Sequence, residues 1–356
     1  MSDTSMRRHN AERRQPDRRA RRRRLIKRIA LASAAAAVAV IVVVAGGGYF
    51  FANHLVGSIH RIRDVAALDA ADQPVMPAAT SRSMTILLTG SAAEPGSRGG
   101  SGVDGSSTVP EGRSGLIALV HLNASGHGGA VVSIPPNTEV SVPGHGRTEL
   151  WNALTIGGPS LLIKTVEKLT DVRINHYSVL DFQGAEQVIG ALGGVNVHVP
   201  YTTTSDGVTF RKGTDHLTKA DVLPYVRQPG VSEIGREMLE QNLIRTILDA
   251  IANRHLFGHL TRDYRVLHSV TGALSVDSNF SNGELESLAL RLGSLKSGAG
   301  TFVSAPVDGG STVAGGTNPV HLDQPISAKL WYAIRHDSVA AFARRYPFTV
   351  TPGAPG

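Results

Sequence analysis

Between Glu233 and Asn253 the chain carries a helical pattern with charge where a core face should be. At about 100° per residue, Leu239, Leu243, Ile247 and Ala250 fall within an arc of about 80°. Arg236 lies inside that arc, and Glu233 and Glu240 lie just beside it. Charge on a core-facing stripe is costly unless it is paired or faces a polar cavity. Two readings stay open. One is an Arg236–Glu240 pair at i, i+4 spacing at the helix start. The other is an arginine pointing into a polar pocket, where its guanidinium offers fixed charge and paired donors.

Other familiar chemistry is missing. The sequence has no Gly-x-Ser-x-Gly elbow, no Walker loop, no His-Glu-x-x-His and no zinc-ligand spacing. Cysteine is absent, which excludes a disulfide framework, a cysteine nucleophile and a thiolate metal site. The 14 histidines are scattered, and His145, His176 and His198 read as surface or strand residues rather than ligands. Gly157-Gly158 and Gly193-Gly194 read as turn or cap signals before phosphate cradles.

The elements that must position Arg236 are interleaved strands and helices. Met84–Gly90, Leu116–Leu122 and Ala130–Ile134 are short apolar runs with the look of buried strands. Residues 91–112 between the first two are Gly/Ser-rich and read as a long loop. After Gly157-Gly158-Pro159-Ser160, Leu162, Val166 and Leu169 at i, i+4 and i+7 predict a helix. A second helix is expected from Asp181 or Phe182 to Leu192, and Val195–Val199 alternates as a strand with one wet face. Glu284–Leu295 and Ile326–His336 read as helices, with a strand at Thr301–Ser304. This alternation predicts an α/β domain.

Length and charge bound the rest. The 356 residues, 41% hydrophobic and 18% charged, suit one or two folded domains. Of the net charge of +7, residues 1–28 alone carry +9, so the remainder carries −2. The basic character belongs to a tail, and the rest lacks the positive footprint that DNA binding needs.

Ile29–Ala52 follows that tail with no charged residue. As a helix it would reach about 36 Å, enough to cross a bilayer with some tilt. A cleaved signal peptide is the rival, but its apolar core is usually shorter. The basic flank puts the N-terminus in the cytoplasm and everything from Asn53 outside. The expected layout is a basic cytoplasmic tail at 1–28, a transmembrane helix at 29–52 and a stalk at 53–82. An outer domain at 83–340 and a loose tail at 341–356 follow.

In chain order the sequence reads Leu-Leu-Thr-Gly-Ser (87–91), Gly-Arg-Ser (112–114), Val-Ser-Ile-Pro (132–135) and Gly-Gly-Pro (157–159). Asp-Phe-Gln-Gly (181–184), Leu-Gly-Gly-Val-Asn-Val (192–197), His-Leu-Thr (216–218), Tyr-Val-Arg (225–227) and Gly-Arg (235–236) follow. This combination resembles the LytR–CpsA–Psr family over roughly residues 83–340. The resemblance implies a three-layer α/β/α domain with a central mixed sheet and an apolar channel for a polyprenyl chain. It further implies transfer of a glycopolymer from polyprenyl pyrophosphate to peptidoglycan at a bacterial plasma membrane, with Mg²⁺ and several arginines around the pyrophosphate. The chemistry is coherent, because breaking a pyrophosphate link requires neutralising charge on the phosphates.

Carried over position by position, Arg113, Arg227, Arg236 and Gln241 match the family's pyrophosphate-binding residues, and Glu233 stands in for a supporting acid. Four positions depart. Ala92 and Gly115 stand where the family has metal-holding aspartates, and Pro136 and Pro229 stand where it has arginines. Alanine and glycine offer Mg²⁺ no side-chain oxygen. The resemblance therefore implies either a phosphotransferase with a thinned site or a non-catalytic relative. Such a relative would bind lipid-linked glycan or peptidoglycan, or partner an active paralogue.

Overall fold

The apolar run Met84–Ser91 is the fourth, central strand of a seven-stranded sheet. The computed structural model describes residues 59–63, 65–69, 71–91, 116–126, 128–229, 231, 233–253, 264–294, 300–308 and 319–350. In chain order the strands are β1 (His60–Ile62), β2 (Met84–Ser91), β3 (Ile117–Leu122), β4 (Gly129–Ser133), β5 (Glu139–Val142), β6 (Gly146–Glu149) and β7 (His176–Asp181). Then come β8 (Val195–Val199), β9 (Thr203–Ser205), β10 (Val208–Phe210), β11 (Gly213–Leu217), β12 (Leu274–Asp277) and β13 (Gly300–Ser304). The helices are α1 (Leu150–Thr170), α2 (Phe182–Leu192), α3 (Val222–Val226) and α4 (Glu233–Asn253). They continue with α5 (Tyr264–Ala273), α6 (Asn282–Ser294), α7 (Gln324–Arg335) and α8 (Val339–Arg345).

The sheet order is β1-β12-β7-β2-β3-β4-β13. It is mixed: β2 runs parallel to β7 and antiparallel to β3, and β13 runs parallel to β4. Successive side chains on a strand point to opposite faces, and here both faces are covered. Leu87, Ile117, Leu119 and Val132 pack with α1, α7 and α8. Leu88, Ala118, Val131 and Phe302 pack on the other face against Ile244 of α4. Ile86 and Val276 on that side meet Phe280 and Leu285. Burial on both faces is why these strands read as continuous apolar runs rather than alternating ones. The mixed central sheet with helices packed on it, implied by the family resemblance, is present.

A second core lies beside the sheet. β8 pairs with β11, and Val195, Val197 and Leu217 pack with residues of α2, α3, α4 and α5. Asp181 caps α2 by accepting from the Gln183 backbone at 3.0 Å, and the helix stops at Gly193 in the left-handed region. The expected helix after Gly157-Gly158 is present, but it is joined across a kink to an earlier turn starting at Leu150.

Two expected segments differ. Residues 53–82 contain edge strand β1 and a 3₁₀ turn at Ala66–Asp69, with Ile62, Val65, Ala67 and Leu68 in the main core. Three-residue strands and 3₁₀ turns are too short to show a sequence period, so this stretch read as a stalk. Residues 341–350 likewise fold, with Phe342 and Ala343 buried and Val350 bridging to Val303. Residues 1–58, with the basic tail and the apolar run 29–52, lie outside the described residues, as do residues 92–115, where most of the expected loop falls, and the last residues, 351–356. Among the described residues no helix is long and apolar enough to cross a membrane.

Candidate functional site

Helix α4 is wedged between the two cores. Its Leu239 and Leu243 join the core around α2 and α3, while Ile244 and Leu248 pack on the sheet. The consequence is unusual: the consecutive polar residues Glu240, Gln241 and Asn242 are all buried, with Gln241 fully enclosed. Buried polar side chains must find partners. Gln241 Nε2 donates to the Val303 carbonyl of β13 at 3.4 Å, which holds α4 near the C-terminal end of that strand. Asn242 Nδ2 donates both to the Tyr225 hydroxyl at 2.7 Å and to the His198 carbonyl at 2.8 Å. The Tyr225 hydroxyl donates in turn to the same carbonyl at 3.3 Å. Burial pushes the Tyr225 hydroxyl well above the usual phenol range, against the opposing bond from Asn242, so it stays a neutral donor.

These bonds fix α3 against α4, and α3 delivers Arg227. Arg227 ends that helix, with its backbone N–H donating to the Leu223 carbonyl at 3.0 Å. Its side chain is half-buried, and among the described residues no carboxylate lies within 4.0 Å of it. The next residue, Gln228, is buried with Nε2 lacking a hydrogen-bond partner among the described residues. The Asn242 Oδ1 is in the same position. A half-buried arginine with no carboxylate within 4.0 Å among the described residues, followed in the chain by a buried Gln228 whose Nε2 is unpartnered there, suits an anion site.

Of the residues singled out from the sequence, Arg227 and Gln241 therefore sit on neighbouring elements linked by Tyr225 and Asn242. Glu233 and Arg236 occupy the first turn of α4 by backbone, and their side chains lie outside the described residues, as does the Arg236–Glu240 pairing. Arg113, Ala92 and Gly115 also lie outside them. Tyr225 and Asn242 were not singled out. The one local signal for Asn242 is the polar run Glu240–Asn242 between Leu239 and Leu243.

His176 is a strand residue, with Nδ1 3.1 Å from Asp277 Oδ2 and its ring stacked on Phe280 at 3.7 Å. His145 is exposed and His198 half-buried on β8. A divalent cation has little to hold it in the described region. Among the described residues no three His, Asp or Glu side chains converge on one point. Asp181, paired in register with Ser91 at the end of β2, is already engaged in capping α2.

The comparisons bear on the whole domain. A teichoic acid transferase from Bacillus cereus (strain AH820), polyisoprenyl-teichoic acid--peptidoglycan teichoic acid transferase TagU, is 32% identical over 142 residues, 39% of this chain and 47% of the relative. The chain thus spans about half the length of the curated relatives it matches. Among solved structures, B. subtilis TagV superposes with a TM-score of 0.56 at 21% identity, over 72% of this chain and 97% of that one. The LytR-Csp2A-Psr enzyme from Actinomyces oris gives 0.56 at 19% identity, over 78% and 96%. At these identities the structures establish a shared fold. The LytR_cpsA_psr family pattern runs over residues 58–335, taking in the edge strand β1. The chain belongs to the LytR_cpsA_psr family.

Proposed function

We propose that this chain is a glycopolymer–peptidoglycan transferase of the phosphotransferase type, acting on a glycan linked to polyprenyl pyrophosphate. Arg113, Arg227 and Arg236 grip the pyrophosphate with Glu233 in support, while Gln241, expected from the sequence to join them, is enclosed and holds α4 to the Val303 carbonyl instead. An acceptor hydroxyl on peptidoglycan forms a new P–O bond to the phosphorus carrying the glycan. The pyrophosphate P–O bond breaks, polyprenyl phosphate leaves, and the hydroxyl proton is lost to solvent. Negative charge grows on the leaving phosphate, and fixed guanidinium donors stabilise it there. Ile29–Ala52 holds the domain at the outer face of a bacterial plasma membrane, with the N-terminus cytoplasmic.

The observation that carries this reading is Arg227, half-buried and without a carboxylate among the described residues, at the end of a helix tied to α4. The teichoic acid transferases among its relatives support the substrate class. Mg²⁺ remains an expectation of the family, and no step here runs through it.

A second reading has its own support. Ala92, Gly115, Pro136 and Pro229 stand where the family resemblance implies two carboxylates and two arginines, which favours a member that binds lipid-linked glycan without turning it over. One experiment separates the two. Purified full-length protein is given glycan-linked polyprenyl pyrophosphate and peptidoglycan fragments with Mg²⁺ or EDTA, and release of polyprenyl phosphate is followed. Release lost in Arg236→Ala supports the transferase. Tight binding with no release, and release gained in Ala92→Asp/Gly115→Asp, supports the binding protein.

A further inference from the structure

On the outer side of α7 and the turn after α8, aromatic rings alternate with cations. Lys329, Tyr332 and His336 follow at three- and four-residue spacing, which places them on one helix face. Tyr332 is 55% exposed and stacks on His336 with ring centroids 3.8 Å apart. Lys329 Nζ donates to the Tyr346 hydroxyl at 3.1 Å, and the Arg345 guanidinium lies 6.0 Å from the centre of the same ring. Phe348, 66% exposed, meets Tyr346 edge-on at 6.2 Å. Arg344 is exposed on α8.

The strip is positive without compensation. Among the described residues, Lys329, Arg344 and Arg345 have no carboxylate within 4.0 Å, whereas Arg147 meets Glu139 and Arg335 meets Asp171. Asp337 is the one acid from Gln324 to Val350, and it is turned inward, accepting from His121 and Ser83. The hydrogen bond from Lys329, and then that from Arg345, hold the Tyr346 hydroxyl below the usual phenol range, in keeping with a positive local field.

We propose that this strip binds a linear glycopolymer with anionic phosphodiester links, its apolar faces on Tyr332 and Phe348 and its phosphates on Lys329, Arg344 and Arg345. The inference rests on the reading of the chain as acting on lipid-linked glycopolymer. Rings flanked by cations suit a polymer that alternates apolar faces with charge. A lipid surface fits less well, because the exposed neighbours Ala328, Ala340 and Ala341 are small and leave little apolar mass to insert.

The test uses the full-length protein in detergent with glucosylated poly(glycerol phosphate) lacking any prenyl group, followed by calorimetry at low and high salt. Lys329→Ala/Arg344→Ala/Arg345→Ala is expected to weaken binding at least about tenfold and to flatten its salt dependence. Tyr332→Ala/Phe348→Ala weakens it less, with the salt slope kept. Equal affinity in the wild type and the triple variant overturns the proposal. So does capture of phosphatidylglycerol vesicles in place of the polymer, lost in the same variants. Arg227→Ala, assayed in parallel with polyprenyl pyrophosphate, reports separately on the pyrophosphate site.

Discussion

Asn242 on α4 donates to the Tyr225 hydroxyl on α3 across 2.7 Å, and this bond sets how the two site-bearing helices meet. Arg227 lies two residues beyond Tyr225, and the backbone of Arg236 lies six residues before Asn242, roughly 9 Å along the helix. A small shift of α3 on α4 therefore changes the spacing of the two arginines.

Removing this bond should uncouple binding from folding to different extents. Asn242→Ala takes away both donors and should cost about 1–3 kcal/mol in denaturant unfolding. Tyr225→Phe keeps the ring, including its edge contact with Phe210 at 5.6 Å, and should cost less. Both variants are expected to bind polyprenyl pyrophosphate more weakly at temperatures well below their melting points. Unchanged affinity in both would separate this contact from the site.

Asp337 should govern the acid limb of stability. Burial alone would raise its pKa, but bonds from His121 at 2.8 Å, Ser83 at 2.7 Å and the Ala124 backbone outweigh it, and the carboxyl is held below its usual range. A depressed folded pKa means stability present above the unfolded value, near 3.9, and lost as pH falls through the folded value. Asp337→Asn keeps a residue tolerant of the left-handed backbone found here. It should unfold about 1–3 kcal/mol more easily at pH 7, and its stability should vary less below pH ~4.

Glu167 should act in the opposite sense. Burial pushes its carboxyl up to about 7, against bonds from the Ile174 backbone at 2.9 Å and Gln73 at 3.3 Å. An acid with a raised folded pKa holds its proton longer in the native state, so stability declines as pH rises from about 4.5 to 7 and is level above. Glu167→Gln should gain on the wild type across that window in melting curves. A constant offset from pH 5 to 8 would contradict the assignment.

Two glycine-to-alanine changes should diverge. A Cβ on Gly184 in α2 would lie 2.4 Å from the Ala273 backbone of α5, so Gly184→Ala must push two helices apart, at about 1–3 kcal/mol or more. A Cβ on Gly283 in α6 would meet nothing within 4 Å, so Gly283→Ala should be neutral or stabilising by up to about 1 kcal/mol. Thermal melts of the pair check both.

Much of this architecture was written in local patterns. Leu116–Leu122 and Ala130–Ile134 were legible as strands because both sheet faces are covered, and Asp181 and Gly193 bracket α2 with ordinary caps. Arg227 and Gln241 could be named from motif order, and α4 from its period. What the one-dimensional pattern could not carry was enclosure. Glu240, Gln241 and Asn242 span about 200° of α4, so enclosing all three takes packing from more than one side of the helix. β1 and α8 have too few residues for any period and are ordered by β12 and by the main core, partners more than 30 residues away in sequence. The sequence by itself determined the element types and the charged residues available for an anion. The tertiary structure decided which of them lose water and meet, because burial depends on what packs from the other side.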